Sequence, residues 1–296
     1  MLDRRSFLLS AGAGVAAGSL SASVFAAASS KIPLGIQLWT VKSEAEKDLE
    51  GTLRKLHALG FREIEFAGYY GKSAADIGAL LKTIGLTPVS THAAADLIVS
   101  SGEQVIADAK TLGLKYIICS SPMSGAAKAK LDWAKKMDSL DAGDWKMNAE
   151  LFNKFGRQVK TAGMQFGYHN HHVEFKKFDG KSGFDTLFAA TDADLVKIEL
   201  DVGWAVAASE DPVAILDKYK SRVVALHVKD IAKLDADPHK ATTVAVGEGT
   251  IDWKKVIGTA RAHGVKHYFY EQEEPYTRPV LESAKISADY LSRLAI

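Results

Sequence analysis

Eight short runs of apolar, β-branched or aromatic residues recur along the chain, at 34–39, 63–67, 88–93, 116–120, 165–170, 196–202, 223–229 and 267–272. Each is followed by a longer stretch with apolar residues at helical spacing. Leu49, Leu53, Leu56 and Leu59 stop at Gly60, and Leu80, Leu81 and Ile84 stop at Gly85. Gly113, Gly163 and Gly264 occupy the same place, a few residues ahead of the next run. Regular strand–helix alternation calls for a parallel sheet, and eight such units close into a (β/α)8 barrel of the α/β class, the TIM barrel fold.

A strand buried on both faces should be apolar throughout. Here the C-terminal ends of the runs carry Glu65, His92, His169, Asp201, His227 and Glu271. In a barrel of this kind those ends face the active site, which gives the polar residues a reason. The 296 residues suit one large domain. The 37 basic and 36 acidic residues nearly cancel, leaving a net charge of +1. That balance offers no broad field for nucleic acid or anionic membrane, so a small molecule is the expected partner.

Residues 1–30 differ in composition from the rest. Arg4 and Arg5 precede Ser6-Phe7-Leu8, then comes an uncharged Ala/Gly/Leu/Val run ending in Val24-Phe25-Ala26-Ala27-Ala28. This reads as an export signal of the twin-arginine type with a cleavage site, which predicts a periplasmic barrel over 31–296 with no membrane attachment once cleaved. Cys119 is the only cysteine, so the fold cannot depend on an internal disulfide.

Two segments exceed an ordinary loop. One runs from Ser121 to Asp144, with Lys128, Lys130, Trp133, Lys135 and Lys136, and reads as a lid or wall of the site. The other runs from Ile231 to Gly249 and contains Asp235, Asp237, Pro238 and His239.

The densest cluster is Tyr168-His169-Asn170-His171-His172-Val173-Glu174-Phe175. Strand alternation puts His169 and His171 on one face and Asn170 and His172 on the other, with Glu174 beyond the strand. In Glu199-Leu200-Asp201, two carboxylates share a face and repel unless a cation lies nearby. Alternatively, Glu199 lies a layer deeper, bonded to a Lys or Arg, and only Asp201 reaches the site. His227 and Lys229 share a face, as do Glu271 and Glu273. Oxygen donors with one or two imidazoles favour one divalent ion, Mn²⁺ first and Mg²⁺, Co²⁺ or Zn²⁺ as alternatives.

Taken together, Tyr168-His169-Asn170-His171, Glu174-Phe175, Leu200-Asp201-Val202-Gly203-Trp204, His227-Val228-Lys229-Asp230, Val246-Gly247-Glu248-Gly249-Thr250-Ile251-Asp252-Trp253 and Glu271-Gln272 resemble the xylose-isomerase-like TIM barrel superfamily. That group holds sugar isomerases and epimerases, inosose dehydratase and AP endonucleases. The resemblance implies a metal set of Asp201, His227 and Glu271 with a fourth ligand. Either His169 stands in for the Glu usual on that strand, or Glu174 reaches back to the metal; Glu174 is the expected choice. The resemblance also implies a substrate pocket lined by Glu65 and His92, to which Trp39, Trp204 and Lys229 are expected to contribute.

The activity so implied is proton transfer beside a carbonyl through an enediolate, as in a sugar isomerase or epimerase. Glu174, His169, His171, Lys229 and Glu271 are the candidate catalytic groups. Loss of the strand Glu to His169 makes a second outcome credible, a lyase that eliminates from a 3-keto-glycoside or dehydrates a keto-inositol. A free sugar or glycoside is expected over a sugar phosphate, because export places the protein among the former. A non-catalytic sugar-binding barrel and an AP-endonuclease-like hydrolase are the remaining readings, and a homodimer through barrel helices is compatible with the pattern.

Overall fold

The protein is described by a computed structural model over residues 32–294; the expected export segment, 1–30, lies outside the described residues. Eight parallel strands close into a barrel in sequence order. They are β1 (Leu34–Gln37), β2 (Glu63–Phe66), β3 (Thr87–His92), β4 (Tyr116–Cys119), β5 (Gln165–His169), β6 (Val196–Asp201), β7 (Val223–Val228) and β8 (His267–Tyr270). The barrel shuts where β8 pairs with β1, with Leu34 opposite Tyr268 and Ile36 opposite Tyr270. Each run read from the sequence contains one strand. Most runs overshoot the strand by one or two residues, because the polar ends turn at once into loops or short helices.

The helices that follow are α1 (Leu49–Ala58), α2 (Ala74–Ile84), α3 (Ala95–Leu112), α4 (Ala142–Thr161), α5 (Gly183–Ala190), α6 (Pro212–Tyr219), α7 (Trp253–Ala262) and α8 (Val280–Arg293). Their inner faces, including Leu53, Leu56, Ile77, Leu81, Phe152, Val159, Leu216, Ile257 and Leu291, form the main apolar core against the outside of the barrel. Helix α2 ends on Gly85 at φ 87°, a left-handed conformation that costs glycine nothing. None of the helices among the described residues is long and apolar enough to cross a membrane.

Inside the barrel, residues two apart on one strand climb in layers. At the bottom, His267 Nδ1 meets Glu63 Oε2 at 2.8 Å. Above it Val89, Ala225 and Phe269 form a small separate apolar plug. Two residues further along the same strands come His227, Glu271 and their neighbours, and the interior turns polar. The plug closes the floor, so polar chemistry is confined to the C-terminal end.

The two long segments lie over that end. Residues 121–144 contain a short helix, Trp133–Asp138, and lead into α4 through Asp141, which caps the helix. Lys128 Nζ ties the segment down on Asp141 and Asp144 at 2.5 and 2.6 Å. The 231–249 segment is anchored on Asp230, whose buried carboxylate accepts the backbone N–H of Gly247 at 2.9 Å and Gly249 at 3.2 Å.

After β6 the chain turns directly into a helix, Val202–Ala207, with Asp201 Oδ1 accepting the N–H of Trp204 at 2.8 Å. Gly203 permits this turn to pass β7: a Cβ there would lie 2.6 Å from the Lys229 carbonyl oxygen and 2.8 Å from its Cγ. Gly203→Ala should therefore destabilise the fold by about 1–3 kcal/mol, as overpacking against backbone does. A lowered thermal midpoint in calorimetry is the expected reading; an unchanged midpoint would show that the turn has room.

Candidate metal centre and active-site cavity

Glu65, fully buried on β2, is the best-anchored carboxylate in the barrel. It accepts from Gln37 Nε2 at 2.8 Å and Ser90 Oγ at 2.5 Å. Its Oε1 also faces His227 Nε2 at 2.6 Å and His92 Nε2 at 3.2 Å. With Nε2 held from below, the His227 ring presents Nδ1 upward, 2.7 Å from Glu271 Oε2 and 3.7 Å from Asp201 Oδ2. Carboxylate–imidazole pairs of this kind commonly orient histidines toward metals.

One ligand atom each from His169, Asp201, His227 and Glu271 falls within 4.8 Å of the others, and all four residues are buried. His169 Nε2 is 3.9 Å from Asp201 Oδ2. That Asp201 oxygen pairs with Lys229 Nζ at 2.8 Å and lies 3.7 Å from His227 Nδ1, without a well-aligned hydrogen bond to either. Lys229 offsets only part of the buried negative charge, because the same ammonium also serves Glu271 and Glu273. Two imidazoles and two carboxylates fit a divalent ion of the borderline type.

Electrostatics point the same way. Carboxylates of Glu65, Glu199, Asp201, Glu271 and Glu273 crowd around one ammonium, Lys229, and the imidazoles of His92 and His227. Burial would raise Asp201 and Glu271, but Lys229 and His227 hold both below the usual carboxylate range. Burial would likewise strip the proton from His227, yet Glu199, Glu271 and Glu65 push its pKa well above that of a free imidazole. His227 is thus the cationic stand-in between two carboxylates, and a bound cation would displace its Nδ1 proton. His169 behaves oppositely: burial and the charge of His227 hold it well below the usual value, so it is neutral with a free lone pair.

Above this cluster opens a cavity of about 830 Å³. His92, His169 and Glu271 reach it, and Trp39, Trp133, His171 and Glu273 are among its walls. The volume falls within the range of small-molecule sites. The structure gathers several of the expected residues here: Trp39 and His92 line the cavity, His169 and His171 face the same side, and the 121–144 segment supplies a wall through Trp133 and Lys136.

Others need correction. Glu65 does not line the pocket; it lies one layer lower, beneath His92 and His227. Glu199 is deep as one alternative held, but its partners are imidazoles rather than Lys or Arg, with His92 Nε2 at 2.9 Å and His227 Nε2 at 3.1 Å. Lys229 and Trp204 are not among the cavity walls. Lys229 Nζ sits 4.9 Å from the Trp204 ring centre and contacts Asp201, Glu271 and Glu273, so it tunes the carboxylates from behind. Glu273, unassigned by sequence reasoning, is a wall residue held by Lys229 and by Trp204 Nε1 at 3.2 Å. Its spacing of two from Glu271 was the signal that could have found it.

Glu174 is the main correction. The strand ends at His169, and the chain coils into a 3-10 turn, Val173–Phe175, that carries Glu174 back against Tyr168. Tyr168 Oη donates to it at 2.5 Å and the backbone N–H of His171 at 2.8 Å. Tyr168 points out of the barrel, with its ring 5.3 Å from that of Phe152, so Glu174 is not brought to the cluster. His169 stands in the fourth place, and Glu174 is the post on which the His171 loop is mounted.

Burial pushes the Glu174 carboxyl up to about 7 from 4.5. The folded chain then holds its proton more tightly than the unfolded chain, so stability falls as pH rises between those values. Glu174→Gln should flatten that part of the stability–pH curve in denaturant titrations; a wild-type slope in the variant would contradict the assignment.

Comparison with known proteins agrees with this architecture. Inosose dehydratase of Clostridium beijerinckii is 38% identical over 88 residues, covering 30% of this chain and 29% of that protein. Inosose dehydratase of Clostridium perfringens is 29% identical over 147 residues, covering 46% of this chain and 49% of that protein. The chain thus spans half or less of these curated relatives. A crystal structure described as a sugar phosphate isomerase/epimerase, from Parabacteroides distasonis, superimposes with a TM-score of 0.72 at 26% identity, covering 87% of this chain and 96% of the other. The family described as xylose isomerase-like TIM barrel matches residues 53–294, and the chain belongs to it.

Proposed function

We propose that the protein is a divalent-metal-dependent lyase that eliminates water or an alcohol from a small keto-polyol, of the keto-inositol or 3-keto-glycoside kind. The observation that carries this reading is that an imidazole, His171, and a carboxyl, Glu273, stand on the cavity walls above the metal set. Burial, with help from Lys229, lowers His171 to about 3, so its imidazole is neutral with a free lone pair but is a weaker base than free histidine. Burial raises Glu273 above the usual carboxylate value even though Lys229 opposes the shift. A neutral imidazole and a carboxyl biased toward its protonated form are candidates for the base and the acid.

A divalent ion held by His169, Asp201, His227 and Glu271 would supply Lewis acidity, making a proton beside a carbonyl easier to remove. His171 takes that proton from carbon. The electron pair left behind forms the new double bond as the neighbouring C–O bond breaks, and the departing oxygen takes a proton from Glu273. Lys229 and Trp204 Nε1 orient Glu273 for this step. Trp39 and Trp133, both partly exposed, offer apolar faces for a sugar ring. Of the residues lining the cavity, Lys136 is the one Lys or Arg, which suits an unphosphorylated substrate. The dehydratase relatives support the lyase outcome, and export read from residues 1–30 belongs to the same proposal.

Epimerisation is the second reading, supported by the structural relative described as an isomerase/epimerase. The two differ in product. Metal-loaded protein incubated in D2O with an inosose and with a 3-keto-glucoside is expected to give an unsaturated ketone, with His171→Ala slowing it by about 10²–10⁴. An epimer carrying deuterium, with no unsaturated product, would overturn the lyase reading in favour of epimerisation.

A further inference from the structure

The two long segments meet at a second cluster, away from the cavity floor. Asp138 ends the short helix of the 121–144 segment, His172 follows β5 on the loop mounted on Glu174, and His239 sits in the turn Pro238–Lys240 of the 231–249 segment. His239 Nε2 lies 3.0 Å from Asp138 Oδ1 and 3.4 Å from His172 Nε2, and one ligand atom from each residue falls within 4.8 Å of the others. We infer that Asp138, His172 and His239 form a second, zinc-type metal site that pins the two long segments together at the rim of the cavity.

Three features carry this. First, potential ligand atoms from three segments distant in sequence converge here. His239 Nε2 faces both a carboxylate oxygen and another imidazole nitrogen, so without a cation one N–H must be shared between them in a weaker three-centre bond. One cation accepts all three lone pairs at once. Second, the distances suit the ion. Zinc–nitrogen bonds of 2.0–2.1 Å at tetrahedral angles put neighbouring ligand atoms roughly 3.3–3.4 Å apart, close to the separations observed. Third, two imidazoles and one carboxylate favour zinc-like ions over magnesium or calcium, which prefer all-oxygen sets.

The placement gives the site a purpose. His172 is nearly buried, and its ring lies 5.1 Å from that of Trp204, whose Nε1 donates to Glu273. Lys176 Nζ also donates to the Asp138 carbonyl oxygen at 2.9 Å, so the His172 loop and the 121–144 segment already touch here. A metal at this point would tie three segments distant in sequence and fix the wall that carries Trp133. The site uses none of the residues in the central set, so it stands or falls independently of the proposed reaction.

The test uses the whole purified chain, stripped with chelator, dialysed against ZnCl2 and assayed for bound zinc. Wild type is expected to retain about two zinc ions per chain, and His239→Ala and Asp138→Asn about one each. Both side chains are half-exposed, so the variants should fold, and unchanged circular dichroism checks that. Asp201→Asn should retain only the rim ion. Zinc should also slow proteolysis within 121–144 and 231–249 in wild type and Asp201→Asn, but not in His239→Ala. Equal zinc content and equal protection in wild type and His239→Ala would overturn the rim site. One ion in wild type and Asp201→Asn, with none in His239→Ala, would uphold it while refuting the central centre.

Discussion

Glu65 holds the Nε2 side of His227, and the direction in which that imidazole turns decides what the upper half of the barrel can do. The carboxylate is itself immobilised by Gln37 and Ser90 from the strands on either side, so the pair is a feature of the closed barrel rather than of any loop. Because Nε2 is engaged below, Nδ1 faces Glu271 and Asp201 above. A ring free to flip would hold neither a proton nor a cation in one place. The apolar plug of Val89, Ala225 and Phe269 completes the arrangement by closing the floor beneath it.

Burying so many carboxylates together is unfavourable unless positive charge is supplied. The chain supplies part of it through Lys229 and through imidazoles driven to their protonated forms, with His92 raised to about 9 by Glu65 and Glu199 against the effect of burial. The remaining demand is concentrated at Asp201 and Glu271, which share the Lys229 ammonium with Glu273. Burial and this field together divide the histidines: the carboxylates hold protons on His92 and His227, while burial, helped by neighbouring cations, strips them from His169 and His171. That division provides a neutral ligand and a neutral base from one residue type. It also explains why Lys229, set behind the carboxylates, matters to the cavity without lining it.

The barrel was legible because its strands repeat with a clear rhythm and their polar ends have no other explanation. The convergence of Asp201, His227 and Glu271 was legible for the same reason, since each lies within a residue of the end of its strand. Glu174 was not, because its position depends on where β5 stops and how the following 3-10 turn folds back, and strand alternation says nothing beyond the strand. Glu65 was placed in the right strand but at the wrong depth. Height inside a barrel depends on register between strands, including the shift between Ile64 and Glu65 where β2 meets β3, which no single run reveals. Asp138 and His239 lie in segments without periodicity, so their meeting was invisible before the fold.

The proposed cation lies where four side chains converge, and its position can be measured directly. Crystals of protein loaded with a single divalent metal would be measured at that metal's absorption edge, and an anomalous difference map would locate the ion. The account predicts a strong peak bounded by His169 Nε2, Asp201 Oδ2, His227 Nδ1 and Glu271 Oε2. A map with no peak there, or with its central peak coordinated by Glu174, would contradict it.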